Sequence, residues 1–294
     1  MKQPLFTGVC TAQVTPFKDG KINYPMLAKL IDRQIAAGVD AIVVSGTTGE
    51  SAALTVQEKR ELVGWAVRYV NGRCKVVAGT GTNATHDAIE LSKMGEECGA
   101  DGLLIVTPYY NKTTQQGLIE HYGAIAAHVS LPIIVYNVPS RTGMTITLDT
   151  YKALSKIENI NGVKEASADI PLVSRIMNEC SGELNVWSGN DDTTVALMAL
   201  GASGVISTTS NIVPERFVEM CRACLDQDFR RAAALQNAMM PLTDAMFCEV
   251  NPMPVKTALR MSGFAVGPCR LPLCEISAEH KALLERLLPQ YKIA

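Results

Sequence analysis

The sequence carries no excess of charge of either sign: 27 Lys and Arg stand against 29 Asp and Glu in 294 residues, a net charge of −2. Without long Lys/Arg runs there is no cationic face to displace counterions from phosphate, so nucleic acid is excluded as the expected partner. Histidine is scarce. The four present (His86, His121, His128, His280) show no HxH or HxxxH spacing, and no catalytic metal is expected. Unbroken apolar stretches of membrane-spanning length are missing as well. The longest uncharged stretch, Thr193 to Pro214, is interrupted throughout by Gly, Ser, Thr and Asn, and reads as buried helix, strand and loop rather than as a membrane segment. The first residues, with Lys2 and Pro4 and no sustained apolar stretch, do not resemble a targeting segment. Nor does any low-complexity linker divide the chain.

Nine cysteines, an odd number scattered without a secretory signal, read as free thiols in a reducing cytosol, and a cytoplasmic location is expected. Cys221 and Cys224 form a CxxC, but no second pair or nearby His completes a zinc site, so they read as two helical thiols sharing one face. Gly79-Thr80-Gly81-Thr82-Asn83-Ala84 formally fits a dinucleotide-binding turn. The acidic residue that should close the following strand is absent, and Thr82 or Asn83 as a helix cap explains the segment better.

What is present is a chain that can bury a large core, at 47% hydrophobic and 19% charged residues. Short β-branched runs begin near Val9, Ala41, Lys75, Gly102, Ile133, Ile160, Asn185 and Val205, each followed by enough chain for a crossover helix. Eight such units predict an α/β fold, a closed (β/α)8 TIM barrel over residues 1–227, with a C-terminal helical extension over 228–294. Gly38, Gly99 and Gly201 recur at helix-to-strand joints, where each can end a helix in the left-handed conformation. In the extension, Pro241, Pro252, Pro254, Pro268 and Pro272 are expected to mark breaks, and Ser277 to open the last helix.

Ligands of such barrels meet residues at the C-terminal ends of the strands. Four exits stand out: Gly46-Thr47-Thr48-Gly49-Glu50-Ser51, Thr107-Pro108-Tyr109-Tyr110, Tyr136-Asn137-Val138-Pro139-Ser140-Arg141, and Val163-Lys164. Singly, each has a plainer explanation: a turn, a wet-edged core aromatic, a solvated surface charge. Together on one rim they supply an amine, phenols, hydroxyls and a clamp for carboxylates, without a metal.

This set, with Thr142-Gly143, Glu165-Ala166, Ser188-Gly189, Gly204-Val205-Ile206-Ser207 and Asn251-Pro252-Met253-Pro254-Val255-Lys256, resembles the dihydrodipicolinate synthase family of the pyruvate-dependent class I aldolase superfamily over essentially the whole chain. The resemblance implies that Lys164 forms a Schiff base with pyruvate, with no cofactor, and burial would have to depress its pKa before it could attack a ketone. Glu165, pointing to the opposite face of the strand, need not stabilise the ammonium. Tyr136, Thr47 and Tyr110 would relay protons, Tyr110 across a subunit interface. Thr47 and Thr48 would hold the pyruvate carboxylate, Ile206 would pack against pyruvate and Gly189 would leave it room. Arg141 suits the carboxylate of L-aspartate 4-semialdehyde.

The implied reaction is condensation of these two substrates to 4-hydroxy-tetrahydrodipicolinate, on the way to diaminopimelate and lysine, in a homotetramer built as a dimer of dimers. A 2-keto-3-deoxy-sugar-acid aldolase or N-acetylneuraminate lyase is the runner-up, and a non-catalytic pyruvate sensor a third possibility. Ser51, Ala52, Val56, Lys59, Asn83, Asp87 and Tyr109 fall where relatives bind inhibitory lysine. An ammonium at Lys59 would repel that ligand, and the shorter Asp87 would grip it poorly, so weak or absent inhibition is expected.

Overall fold

The computed structural model describes residues 1–291 and 293. Its strands are β1 (Gly8–Ala12), β2 (Phe17–Lys18), β3 (Lys21–Ile22), β4 (Ala41–Val44), β5 (Lys75–Gly79), β6 (Gly102–Val106), β7 (Ile133–Asn137), β8 (Ile160–Glu165), β9 (Asn185–Ser188) and β10 (Gly204–Ser207). Eight of them close in the order β1-β10-β9-β8-β7-β6-β5-β4, with β1 pairing in parallel with both β10 and β4. These are the eight strands expected from the apolar runs. The antiparallel pair β2 and β3 lies outside the barrel and was not foreseen, since two residues per strand leave no periodicity to read.

Alternation along the strands sorts side chains into two layers. Ile42, Val44, Leu103, Ile105, Ile133, Val135, Val163 and Val205 face outward into the apolar layer beneath the helices. Ala41, Val43, Leu104, Ile134, Tyr136 and Ile206 face the lumen. Phe6, just ahead of β1, stacks on Trp187 with 5.0 Å between ring centroids, and the Trp187 indole donates to the Phe6 carbonyl at 3.2 Å. The lumen is therefore packed below and chemically available only at the C-terminal rim.

The glycine joints form as expected, with φ of 86° at Gly38, 82° at Gly99 and 102° at Gly201. Two expectations need correction. The helix Thr85–Glu97 starts after Ala84, where the chain is still extended, so neither Thr82 nor Asn83 caps it. Pro241 does not break its helix but lies inside Phe229–Met246, where burial of Met239, Leu242, Ala245 and Met246 holds the helix together on both sides of the missing N–H. Pro252 and Pro254 do sit at the start of the helix Met253–Met261, and Ser277 caps Ala278–Leu287 by accepting from the His280 N–H. Cys221 and Cys224 are buried in the helix Pro214–Leu225. Burial raises both thiols, Cys224 to about 11, which suits inert packing.

Candidate active site

Parity along the strands decides where the amine goes. Val163 faces the helices, so Lys164 faces the lumen, and its register partner across β7 is Tyr136. The Lys164 Nζ lies 4.4 Å from the centre of the Tyr136 ring, and both side chains are almost buried, at 6% and 7% exposure. Glu165 points the other way. Its carboxylate accepts from the Asn137 amide at 3.0 Å on each oxygen, from the Tyr151 hydroxyl at 2.5 Å and from the Ser167 N–H at 2.8 Å. Burial first, and then the Glu165 charge, push the Tyr151 phenol well above its usual range, so it remains a donor. Among the described residues no acidic side chain is within ion-pair distance of Lys164.

A cavity of about 160 Å³ opens above the amine, lined among others by Lys164, Tyr136, Thr47, Thr48, Arg141 and Gly189. A Cβ on Gly189 would stand 3.1 Å from Lys164 Cγ and 2.6 Å from Ala166 Cβ, so only glycine fits there. The Thr48 hydroxyl accepts from the Asn251 amide at 2.9 Å and lies 3.3 Å from the Thr208 hydroxyl. Arg141 belongs to the short helix Pro139–Thr142, at the mouth of the cavity, and donates to the Asn251 carbonyl at 3.2 Å. Ile206 is buried in the lumen layer on β10. All the proposed catalytic and substrate-binding residues except Tyr110 and Ile206 thus line one strand-end cavity. Tyr110 is 94% exposed, with φ of 68°, and stands clear of its own chain's cavity.

An adjoining cavity of about 310 Å³ shares Thr47, Tyr136, Arg141 and Asn251 with the first and adds Ser51, Ala52, Lys59 and Tyr109. Four of the seven residues assigned to a lysine site therefore share one wall. Val56, Asn83 and Asp87 do not line it: Val56 is 66% exposed, the Asn83 carbonyl accepts from the Asn111 amide, and Asp87 lies beside His86. Burial lowers the Lys59 pKa from its usual value.

Sequence reasoning missed two supports of the rim. Asn251 reaches both Thr48 and Arg141 from the C-terminal extension. Asp191, just past β9, accepts from the N–H groups of Thr208 and Thr209 at 3.2 and 2.8 Å and ties two strand exits together, its carboxyl pushed up by burial. The Asn251-Pro252 segment was visible as a motif, but its contact partners lie too far along the chain to be inferred.

An inward lysine at a barrel-strand end, packed against a phenol and overlooked by hydroxyls, defines a class of Schiff-base barrel enzymes of the class I aldolase type. Within that class the chain belongs to the Dihydrodipicolinate synthetase family, whose profile matches residues 5–291. The 4-hydroxy-tetrahydrodipicolinate synthase of Methanocaldococcus jannaschii is 47% identical over 285 residues, covering 97% of this chain and 98% of that one. The solved dihydrodipicolinate synthase of Aquifex aeolicus is similar at a TM-score of 0.96 and 45% identity, with 98% and 99% of the two chains covered. The chloride-inhibited dihydrodipicolinate synthase of Acinetobacter baumannii, solved in complex with pyruvate, matches at a TM-score of 0.96 and 42% identity over 98% and 100%.

Proposed function

We propose that this chain is a lyase of the class I aldolase type that condenses pyruvate with L-aspartate 4-semialdehyde to 4-hydroxy-tetrahydrodipicolinate, in diaminopimelate and lysine biosynthesis. The observation that carries the chemistry is the buried Lys164 amine, 4.4 Å from the Tyr136 ring and lining the strand-end cavity with Thr47, Thr48 and Arg141. Family membership supports the choice of substrates.

In this mechanism the unprotonated Lys164 amine adds to the pyruvate ketone, and the carbinolamine loses water to give an iminium. The pyruvate methyl then loses a proton, leaving an enamine. The enamine carbon attacks the aldehyde carbon, and the resulting alkoxide takes up a proton. Finally the amino group of the bound semialdehyde attacks the iminium carbon and displaces Lys164, closing the ring. One water is released overall, and Lys164 is regenerated, so the chain needs no cofactor for any step.

Tyr136, its ring 4.4 Å from the amine, serves as the acid and base at the imine, with Thr47 linking it to Tyr110 of a second copy. Thr47 and Thr48 hold the pyruvate carboxylate beside Gly189 and Ile206. Arg141, at the mouth, suits bidentate binding of the semialdehyde carboxylate. The exposure of Tyr110, at 94%, supports its burial against a second copy, and family membership supports a homotetramer made of two dimers. The free cysteines, and the absence among the described residues of any helix long and apolar enough to cross a membrane, are compatible with a cytoplasmic location.

The direct test is intact-protein mass after pyruvate and borohydride, with peptide mapping, on the wild type and on Lys164→Ala. A reduced pyruvyl adduct on Lys164 that is absent from the variant is the expected result, followed by turnover with L-aspartate 4-semialdehyde. No adduct on folded protein would refute the mechanism. An adduct without turnover of that aldehyde would point to a 2-keto-3-deoxy-sugar-acid or N-acetylneuraminate substrate, and retained pyruvate binding without any turnover to a sensor.

A further inference from the structure

The loop that follows β4 turns through two non-glycine residues of positive φ, Ser45 at 57° and Glu50 at 57°. Such conformations are strained for L-residues and persist only where the surroundings enforce them. Thr47 and Thr48 lie between the two. The enforcement comes from the far end of the chain. The Glu50 side chain is 0% exposed, and its Oε1 accepts from the Lys256 ammonium at 2.7 Å. Its Oε2 accepts from the Arg270 backbone N–H at 2.7 Å. Lys256, 1% exposed, spends its other two N–H groups on the Thr15 carbonyl at 3.2 Å and the Pro268 carbonyl at 2.8 Å, and lies 4.5 Å over the Phe17 ring. Thr15 closes the arrangement, its hydroxyl donating to the Gly49 carbonyl of the same loop at 2.7 Å.

Neither Glu50 nor Lys256 lines the cavity above Lys164. A buried ion pair adds little net stability compared with apolar residues of the same shape. What it supplies is direction: the three donors of Lys256 are fixed by the Thr15 and Pro268 carbonyls and by Glu50, so the loop carrying Glu50 is held to one position against them. We propose that the Glu50–Lys256 pair is a positioning device for the reaction, through which the C-terminal extension sets the Thr47-Thr48 turn in the geometry that receives the pyruvate carboxylate. The proposal rests on the assignment of Thr47 and Thr48 to that carboxylate.

The test compares three variants with the wild type: the double variant Glu50→Gln/Lys256→Met, which removes both charges together; Thr15→Val, which keeps the pair but frees the Gly49 carbonyl; and Thr48→Val. Each is measured for KM of both substrates, for kcat, for borohydride trapping on Lys164 and for Tm, with kinetics taken well below every Tm. The double variant is expected to keep a Tm near that of the wild type and full trapping at saturating pyruvate, while KM for pyruvate rises about tenfold and KM for the aldehyde changes far less. Thr15→Val shifts the pyruvate KM in the same direction. If the double variant does not fold, the single variant Glu50→Gln, which keeps the shape of the side chain and removes its charge, takes its place in the comparison. A wild-type pyruvate KM in the folded double variant and in Thr15→Val, alongside a raised KM in Thr48→Val, overturns the positioning role and leaves the carboxylate assignment standing. A wild-type KM in Thr48→Val overturns that assignment, and the proposal with it.

Discussion

Tyr136 and Lys164 meet across β7 and β8 with the Lys164 Nζ over the ring, which allows the phenol's two contributions to be separated. Tyr136→Phe keeps the ring, the packing and the cation–π contact, and removes only the hydroxyl. If that hydroxyl moves protons at the imine, kcat falls by roughly 10²- to 10⁴-fold while the pyruvyl adduct on Lys164 still forms. Single-turnover trapping beside steady-state rates separates the two, and an unchanged kcat would remove Tyr136 from the relay. Glu165 illustrates the opposite case, a charge adjacent in sequence to the Lys164 amine but fully engaged by Asn137, Tyr151 and Ser167 on the outer face. That separation was legible in the sequence, because strand parity alone sends residues 164 and 165 to opposite sides. The identity of Glu165's partners was not legible, since Tyr151 comes from a helix whose rotation the sequence leaves open.

At the scale of elements, β-branched runs and the glycine joints made all eight barrel strands readable, and with them the rim on which Thr47, Tyr136, Arg141 and Lys164 meet. The C-terminal extension was readable only as helices. Lys256 meets Glu50 across 206 residues of chain, and no local pattern encodes such a contact. The same extension grips the helix Val56–Val70 by a second ion pair, in which the Arg270 guanidinium donates to both oxygens of Glu58, at 2.8 and 2.5 Å. The hydrogen bond from Arg270 is the main cause holding the Glu58 carboxyl down at about 2, against an ordinary value of 4.5. Because the folded-state value is the lower one, the unfolded chain binds the extra proton first. The stabilisation is whole above about pH 4.5 and drains away as the pH falls through about 2, and with partial solvent screening it amounts to about 2 kcal/mol. Glu58→Gln, which still suits the capping box with Thr55, is therefore expected to lower Tm at about pH 6 and to converge on the wild type near about pH 2. Thermal unfolding of both proteins across that range checks it, and a gap independent of pH would assign the loss to packing.

For the whole molecule, the decisive residue is the one that the chain does not fold into its own cavity. Tyr110 is 94% exposed on the loop after β6, whereas Lys164, Tyr136 and Thr47 sit together on the rim of the same barrel. If a second copy supplies Tyr110, each complete site is composite, and two differently damaged chains can repair one another. Lys164→Ala and Tyr110→Phe are each expected to be nearly inactive alone. Co-refolded in equal amounts, half of the dimers formed are mixed, and each mixed dimer has one site with an intact Lys164 from one chain and an intact Tyr110 from the other. About a quarter of all sites then regain wild-type turnover, which follows from a two-fold interface that exchanges the same loop in both directions. Mixing without refolding restores activity only as fast as the subunits exchange. If each chain used its own Tyr110, the mixed dimers would contain no repaired site, and the mixture would stay at the average of its two inactive parents.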